Sequence, residues 1–422
     1  MRSGRLILSL YAAVIASCAW AMETVDTSQG VIAPSFHSLQ VVFAGSEMGE
    51  PVIDLHNPAD RVVISFDELS DDRRYMRYSL VHCDALWQPE GLVDSEFLDS
   101  FNEGTVEDYD YSQATIVHYV HYTITLPNEQ VRITQPGNYL VKVYDESDPE
   151  ETLLQARFYV SDNTVGIKAD VTTRTDIDTN LAHQQLGLTV DTRYLNPEDP
   201  FNDLKVVVTQ NGRPDTETVI VSPQRLGSRE VIYEHLRPLI FPAGNEYRRF
   251  ETVSTNYPGM GVERIERDAP VYNMMLYADE PRASKDYLFD RTQHGRYLVR
   301  SSDVSDSSTE ADYVMTNFTL AMPPLAGYDI FIDGDLTDRR FSPSSRMVYN
   351  KASGAYEQSL LLKQGSYNYQ YLAVPSGSLK GETGPVEGNK YQTVNEYTVK
   401  VYHRPKGTRF DRLVGYGVVS SE

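Results

Sequence analysis

Histidine and aspartate clusters are the residues of this 422-residue chain whose types and spacing could do chemistry. His118 and His121 could hold a transition metal. The apolar and polar pattern of residues 116–122 predicts a strand, however, and residues three apart in a strand point to opposite faces. We therefore predict structural roles for both histidines and no metal site. The same alternation separates His82 from its neighbour Cys83.

Two aspartate-rich segments could bind a hard cation such as calcium. Asp333, Asp335 and Asp338 lie in one of them, and Asp176 and Asp178 lie in the other. Neither segment has the twelve-residue spacing with a closing glutamate that an EF-hand loop requires. We favour solvated turns, in which an aspartate bonds its own backbone, and leave calcium binding as the alternative.

Motifs for the common catalytic mechanisms are absent from the sequence. It contains no Gly-x-Ser-x-Gly, no His-Glu-x-x-His, no phosphate-binding Gly-Lys-Ser/Thr and no dinucleotide-binding Gly-x-Gly-x-x-Gly. A pair of carboxylates for glycoside hydrolysis stays open, because the 60 acidic residues offer too many combinations. We predict a protein that is not an enzyme, with no catalytic residue, cofactor or metal.

Two arginine-containing stretches could contact a partner. The first stretch, residues 404–413, is locally basic in an otherwise acidic chain. It has one acidic residue, Asp411, and four basic ones, Arg404, Lys406, Arg409 and Arg412. They could pair with the acidic body of the protein or form a docking loop, and we predict them as possible partner contacts. The second stretch, residues 245–250, contains Glu246, Arg248 and Arg249 and predicts a structural ion-pair network, with a contact surface as the second possibility.

The first twenty-one residues predict a signal peptide. Arg2 and Arg5 precede an apolar stretch too short to span a bilayer, and Ala-Trp-Ala at 19–21 supplies a cleavage pattern. A lipobox around Cys18, which would make the protein a lipoprotein, is the alternative. No later segment is apolar enough to cross a membrane. Cys83 is the second of only two cysteines, so no disulfide framework is predicted.

The net charge of −22 limits the possible partners. Removal of Arg2 and Arg5 with the signal peptide makes the charge more negative still. Nucleic acid is excluded as a partner, because phosphate recognition needs a basic surface. Spontaneous adsorption to anionic membranes is disfavoured for the same reason.

Alternating hydrophobicity dominates the chain after the signal peptide. Val62, Ile64 and Phe66 alternate with polar or exposed positions, and residues 155–160, 186–191 and 314–320 repeat the pattern. Turn residues separate these runs. The pattern predicts an all-β fold of tandem antiparallel β-sandwich, immunoglobulin-like domains. We place these domains at residues 36–162, 166–310 and 311–422, with the polar stretch 301–310 as a linker.

An ordered series of short motifs resembles one known family. In the first domain the motifs lie at residues 64–69, 75–78, 82–87, 109–112, 121–128 and 136–139. In the rest of the chain they lie at 243–250, 361–369, 387–391, 395–397 and 402–413. The series resembles the type IX secretion system plug proteins of the Bacteroidetes over nearly the whole mature chain. Leu86 departs from the pattern, where the family more often has Asp before Trp.

The resemblance implies a binding role rather than catalysis. It implies a periplasmic protein at the inner face of the outer membrane, which binds and closes the β-barrel translocon of the type IX system. A carbohydrate-binding β-sandwich module array is the alternative, because residues 334–364 resemble starch-binding domains. That alternative requires exposed aromatic side chains, and a buried Tyr356 would count against it. For Trp87 we predict a core position rather than an interface.

Overall fold

The computed structural model describes residues 26–267 and 270–422. The predicted signal peptide at 1–21 and the possible lipid-bearing Cys18 lie outside these residues. Within them, almost all regular structure is β, in six sheets. Their strand pairs are antiparallel except Val52–Asp54 with Asp148–Ser161 and Asn273–Leu276 with Tyr313–Leu320. The predicted all-β sandwich fold is confirmed. Within the same ranges, no helix is long and apolar enough to cross a membrane.

The first sandwich occupies the N-terminal part of the described chain. Its elements are β1 (Gly30–Val31), β2 (Phe36–Phe43), β3 (Val52–Asp54), β4 (Val62–Glu68), β5 (Met76–Cys83), α1 (Asp94–Phe97), β6 (Gly104–Thr105), β7 (Asp108–Tyr111), β8 (Val120–Leu126), β9 (Gly137–Asp145) and β10 (Asp148–Ser161). One sheet has the order β1-β10-β9-β5-β6 with β3 beside β10, and the other has the order β2-β4-β8-β7. Apolar side chains of both sheets form one core.

The second sandwich combines strands from two distant parts of the chain. Its first elements are β11 (Gly166–Thr172), β12 (His183–Asp191), α2 (Pro200–Asp203), β13 (Leu204–Gln210), β14 (Thr218–Ile220), β15 (Arg225–Leu226), β16 (Glu230–Tyr233) and β17 (Ile240–Pro242), with 3-10 turns at Pro214–Thr216 and Arg237–Leu239. At its end the chain returns to this sandwich as two further strands, β27 (Glu396–His403) and β28 (Arg412–Ser420). Strand β27 pairs with β13, and β28 pairs with β27. The sheets have the orders β11-β12-β16-β15, with β17 beside β12, and β14-β13-β27-β28.

The third sandwich is inserted before this return. Its elements are β18 (Arg248–Glu251), β19 (Val262–Glu266), β20 (Asn273–Leu276), β21 (Tyr297–Val299), α3 (Ser307–Glu310), β22 (Tyr313–Leu320), β23 (Tyr328–Asp333), a 3-10 turn (Asp335–Thr337), β24 (Val348–Asn350), β25 (Ala355–Lys363) and β26 (Gly365–Pro375). The returning strands that follow are β27 (Glu396–His403) and β28 (Arg412–Ser420). The sheets have the orders β18-β26-β21, with β23 beside β26, and β19-β20-β22-β25-β24.

The hydrophobic cores divide the second half of the chain differently from the predicted domain boundary at residue 310. Apolar residues of 165–241 share a core with those of 397–414, whereas residues 250–386 form another core. The polar stretch 301–310, predicted as a linker, contains the buried residues Ser301 and Thr309. Asp306 caps α3 by accepting from the backbone N–H of Ser308. The exact domain division therefore stays a prediction.

Period-two alternation places the predicted residues in the first core. Val62, Ile64 and Phe66 are all fully buried, as the sequence pattern predicts. Among the described residues, ten of the twelve largest fully buried side chains are tyrosines, and they come from all three sandwiches. Several of their hydroxyls form hydrogen bonds inside the protein. The hydroxyl of Tyr139, for example, donates to the backbone oxygen of Gln135 at 2.7 Å, and that of Tyr402 to Asn138 at 2.7 Å.

Candidate partner-contact surface

The predicted contact residues lie in one loop, 404–411, and at the start of the strand that follows it. The loop joins β27 to β28 and is anchored by Asp411, whose side chain is fully buried. This carboxylate accepts hydrogen bonds from the backbone N–H of Ala85 at 3.0 Å, from Lys205 Nζ at 3.0 Å and from Arg404 Nε at 2.6 Å. Because Ala85 belongs to the first sandwich, the anchor joins the first and second sandwiches.

Three of the four predicted contact residues also pair with the first sandwich. Arg404 pairs with Glu90 and Arg409 with Glu96, while Arg412 reaches Asp162 at 2.6 Å. Lys406 is exposed near the tip of the loop and forms no ion pair within the described ranges. The loop is therefore held at its base by arginines and presents Lys406 and the largely exposed Arg409 to solvent.

A buried histidine completes this junction. His82 Nδ1 lies 2.8 Å from Glu90 Oε2, and its Nε2 lies 3.2 Å from the backbone oxygen of Pro136. Its ring packs edge-on against Tyr139 and against Phe410 of the basic loop. Glu90 is the shared partner of His82 and Arg404, and the sequence carries no signal for this contact because the glutamate and the arginine are 314 positions apart.

A second buried junction joins the first and third sandwiches. Lys363 Nζ of β25 lies 2.7 Å from Asp67 Oδ2 of β4, and both side chains are only 1% exposed. His121 Nδ1 lies 2.6 Å from the other oxygen of Asp67, and the Tyr313 hydroxyl donates to Oδ2 at 2.7 Å. Burial alone would raise the pKa of Asp67, but the charges of Lys363 and His121 and their hydrogen bonds to the carboxylate together outweigh it and hold that pKa below 3.8.

All three sandwiches meet at one arginine. Arg296 Nη2, in the third sandwich, lies 2.5 Å from Glu50 of the first and 2.5 Å from Glu396 of the second. Burial alone would lower the pKa of Arg296, but the two carboxylates outweigh it and raise that pKa above its usual value. With the two pairwise junctions, this ion triad connects the sandwiches into one interlocked body.

The other candidate residues have separate partners. His118 lies 2.6 Å from the exposed Asp71 while His121 contacts Asp67, so the two histidines do not converge. Asp176 and Asp178 contact His235 and His183. Within the described residues, no group of three or more potential ligands is arranged to hold a metal.

Asp333 and Asp335 of the other aspartate-rich segment also have partners inside the protein. Asp333 Oδ2 accepts from Gln370 at 2.9 Å, and Asp335 pairs with Arg339 at 2.6 Å. The third carboxylate, Asp338, accepts from the backbone N–H of Val31 at 3.1 Å. The segment therefore takes part in the packing of the first sandwich on the third.

Replacing Asp338 should stabilise the folded protein, and the size of this stabilisation should depend on pH. Burial, assisted by the charge of Asp335, raises its pKa from 3.8 to about 6. A raised carboxyl pKa contributes stability that is full below pH 3.8 and is lost as the pH rises through about 6. We expect Asp338→Asn to stabilise the protein by on the order of 2 kcal/mol at neutral pH and not at all in acid.

Asparagine suits this position, because Asp338 has φ +52° and asparagine tolerates the left-handed region. Urea unfolding across the pH range measures the effect. The matched control is Asp72→Asn at an exposed position. A stability gain in Asp338→Asn that is equal at acid and neutral pH would contradict the titration argument.

Trp87 and Cys83 are buried together with Leu140 in a small cluster that is separate from the main core of the first sandwich. Trp87 is 3% exposed, which confirms its predicted core position, and the Arg157 guanidinium lies 4.2 Å from its ring centroid. Cys83 is fully buried, and burial raises the pKa of its thiol to about 12. A thiol with such a pKa is unreactive at neutral pH.

The arginine and glutamate stretch at 245–250 forms the predicted ion-pair network. Arg248 reaches Glu387 Oε1 at 3.0 Å and Asp279 Oδ1 at 2.6 Å, and Arg282 reaches Glu387 Oε2 at 2.7 Å. Glu387 is fully buried and also accepts from the backbone N–H of Tyr371 at 2.9 Å. These partners lie within the third sandwich, so the network is internal to it.

Fold and contacts together define a class of protein. It is a protein of tandem β-sandwiches joined through ion pairs, with a basic loop at one junction, and a fold of this kind does not by itself specify a function. The family model for the first domain of the type IX secretion system plug protein matches residues 36–162.

A protein of Parabacteroides merdae with a known crystal structure is 41% identical. The match covers 93% of this chain and 99% of that one, and the TM-score is 0.92. The chain belongs to the type IX secretion system plug protein family. Its place in a secretion system associates it with the cell envelope.

The remaining comparisons add nothing to this assignment. No curated protein matches the chain. Alkylpurine DNA glycosylase of Pseudomonas fluorescens superposes with a TM-score of 0.17 at 13% identity over 30% of each chain, which is too poor a match to carry an argument. Family and fold point to a non-catalytic protein.

The position of Tyr356 argues against the carbohydrate-binding alternative, which requires exposed aromatic side chains. Tyr356 is 6% exposed and packs in the core of the third sandwich, where its hydroxyl accepts from the backbone N–H of Leu325 at 2.8 Å. A buried ring with an engaged hydroxyl offers no platform for a sugar.

Proposed function

We propose that this protein is a periplasmic plug, peripheral at the inner face of the outer membrane, which binds the β-barrel translocon of the type IX secretion system and closes it. The observation that carries the proposal is the family match over residues 36–162. A protein that blocks a wide pore must resist deformation by its partner. The ion triad of Arg296, Glu50 and Glu396 supports this role, because it connects all three sandwiches.

The partner contact that we propose is the basic loop. Lys406 and Arg409 project from it, while the net charge of the chain is −22. Local basic charge on an acidic protein gives the loop a preference for an acidic surface on the barrel and fixes the orientation of docking. Binding through such a surface weakens as the salt concentration rises.

Affinity isolation from native outer membranes tests the proposal. We expect the tagged protein to recover a very large barrel protein under mild detergent, and deletion of the protein to increase envelope permeability. Failure to recover a barrel together with unchanged permeability would contradict plugging. Recovery of the barrel with unchanged permeability would leave binding in place and refute closure.

Charge reversal in the loop tests the contact itself. We expect Lys406→Glu with Arg409→Glu to reduce barrel recovery about tenfold, because two attractive contacts become repulsive. Folding should be unchanged, since Arg409 is largely exposed and pairs only with the partly exposed Glu96.

Lys406 and Arg409 are better positions for this test than the other two basic residues of the stretch. Arg404 and Arg412 are less suitable, because their reversal removes the arginine partners of the buried carboxylates of Glu90 and Asp162 and places a like charge beside each. The matched control reverses Lys351 and Arg264, both exposed elsewhere on the surface. Equal recovery by the loop variant and the control would remove the loop from the interface.

A further inference from the structure

Strand β7 forms an open edge of the first sandwich. It pairs only with β8, as the last strand in the order β2-β4-β8-β7. The register places Asp110 opposite His121 and Tyr111 opposite Val120. The next pair is Ser112 with Tyr119, and the backbone N–H of Ser112 donates to the oxygen of Tyr119 at 2.9 Å. This bond fixes which residues of β7 face β8.

Backbone groups of two residues of β7 point away from the sheet. In an antiparallel ladder, residues that bond the neighbouring strand alternate with residues whose N–H and C=O point outward. Because Ser112 bonds β8, Asp110 and Asp108 bond it as well, and Tyr109 and Tyr111 point outward. Within the described ranges, the N–H and C=O of these two tyrosines have no hydrogen-bond partner.

Two other edges of the sandwiches are covered by neighbouring parts of the chain. On β2, the opposite edge of the same sheet, Ser38 bonds the Tyr313 hydroxyl at 2.7 Å and Gln40 bonds the backbone oxygen of Tyr297 at 3.1 Å. On β28, the outward carbonyls of Leu413 and Val414 accept from Asp162 and Val165. In β7, by contrast, Asp108, Asp110 and Tyr111 are exposed.

We propose that the outer edge of β7 is a docking site for an extended, lysine- or arginine-bearing segment of another protein, which joins the sheet as an additional strand. Backbone bonds to Tyr109 and Tyr111 supply the affinity, as in other strand-addition complexes. Charge specifies the occupant. Asp108 and Asp110 point to one face of the strand, both are exposed, and neither forms an ion pair within the described ranges. Residues 107–111 contain three acidic and no basic residues.

The same charges disfavour a second copy of this chain as the occupant. Two β7 edges placed side by side would bring aspartates next to aspartates, and like charges on neighbouring strands destabilise pairing. The guanidinium of Arg73 stacks on the Tyr109 ring, 4.8 Å from its centroid, so this cation lies on the face of β7 that carries the tyrosines. The aspartate face is left to attract a basic segment.

A labelled peptide of alternating lysine and threonine tests the site on the full-length protein. We expect it to bind, to weaken as salt rises, and to protect the amides of Tyr109 and Tyr111 from hydrogen exchange. The same peptide methylated on alternate backbone nitrogens should bind about tenfold more weakly, which corresponds to the loss of about one hydrogen bond. A peptide of alternating glutamate and threonine should not bind.

Two variants of one residue separate backbone pairing from side-chain contact. Tyr111→Pro removes an outward N–H without breaking the β7–β8 ladder, which an edge strand tolerates, and should weaken binding about tenfold. Tyr111→Ala keeps that N–H and should bind more tightly than the proline variant. Asp108→Asn with Asp110→Asn should remove the salt dependence.

Three results would overturn the proposal: no binding of the lysine peptide, equal binding of its methylated form, or a concentration-dependent dimer that is lost in Tyr111→Pro. In the first case the aspartates only protect the edge from aggregation. The site shares no residue with the basic loop. Lys406→Glu with Arg409→Glu therefore leaves peptide binding unchanged, and failure here is separable from failure of the plugging proposal.

Discussion

Replacing Lys363 by methionine should destabilise the protein by about 3–5 kcal/mol at neutral pH. The substitution leaves Asp67 charged, buried and without its main partner at the junction of the first and third sandwiches. It also removes the hydrogen bond from Lys363 Nζ to the backbone oxygen of Ser308, at 2.6 Å, and the packing of the ammonium on the Tyr119 ring. Urea unfolding followed by circular dichroism measures the loss.

The difference in the free energy of unfolding between the native protein and Lys363→Met should become smaller in acid. In the native protein the pKa of Asp67 is held below 3.8, so its contribution to stability is present above pH 3.8 and is lost as the pH falls through the folded-state pKa. In the variant, burial without Lys363 raises the pKa of Asp67, so the variant recovers stability as the carboxyl is protonated. The two unfolding curves therefore approach each other at low pH.

Two further proteins test the cause. The double variant Asp67→Asn with Lys363→Met should recover most of the loss, because neither charge remains buried. Lys351→Met, at an exposed turn, is the matched control and should be near neutral. If Lys363→Met is no less stable than this control, or if the double variant is the least stable of the three, the buried pair does not stabilise the junction.

The two residues of this pair show what the sequence could and could not predict. Alternation correctly places Phe66 and Ile64 in the core, because a strand buried on one face repeats every two residues. The same pattern gives no reason to bury Asp67 or Lys363. Their pairing joins strands 296 positions apart, and a single sequence carries no signal for such a contact.

The basic loop was predictable in composition but not in position. Its excess of arginine over aspartate indicated either internal pairing or docking. The structure shows that Arg404 and Arg412 pair with the first sandwich, and that Lys406 projects. Their partners Glu90 and Asp162 looked like any of the 60 acidic residues of the chain. Hydroxyl positions were equally hidden, because buried tyrosines find partners that only the packing supplies.

Replacing Glu387 by glutamine should cost about 3 kcal/mol at neutral pH. Glutamine keeps the shape of the side chain and an acceptor for the Tyr371 N–H, but it removes the charge that Arg248 and Arg282 share. Arg248 then keeps only Asp279 as a carboxylate partner within the described network. Burial alone would raise the pKa of Glu387, but the two arginines outweigh it and hold that pKa below 4.5. Its stabilisation is therefore present above pH 4.5 and is lost as the pH falls.

Hydrogen exchange distinguishes this loss from that of Lys363→Met. Because Glu387 and its partners all lie in the third sandwich, Glu387→Gln should increase exchange in β18 and β26 and leave β4 of the first sandwich protected. Lys363→Met should increase exchange in β4 and β25 together, since it opens the junction between the sandwiches. Glu382→Gln, at an exposed position nearby, is the matched control. Loss of protection in β4 upon Glu387→Gln would mean that the sandwiches unfold as one unit and that no single junction controls their separation.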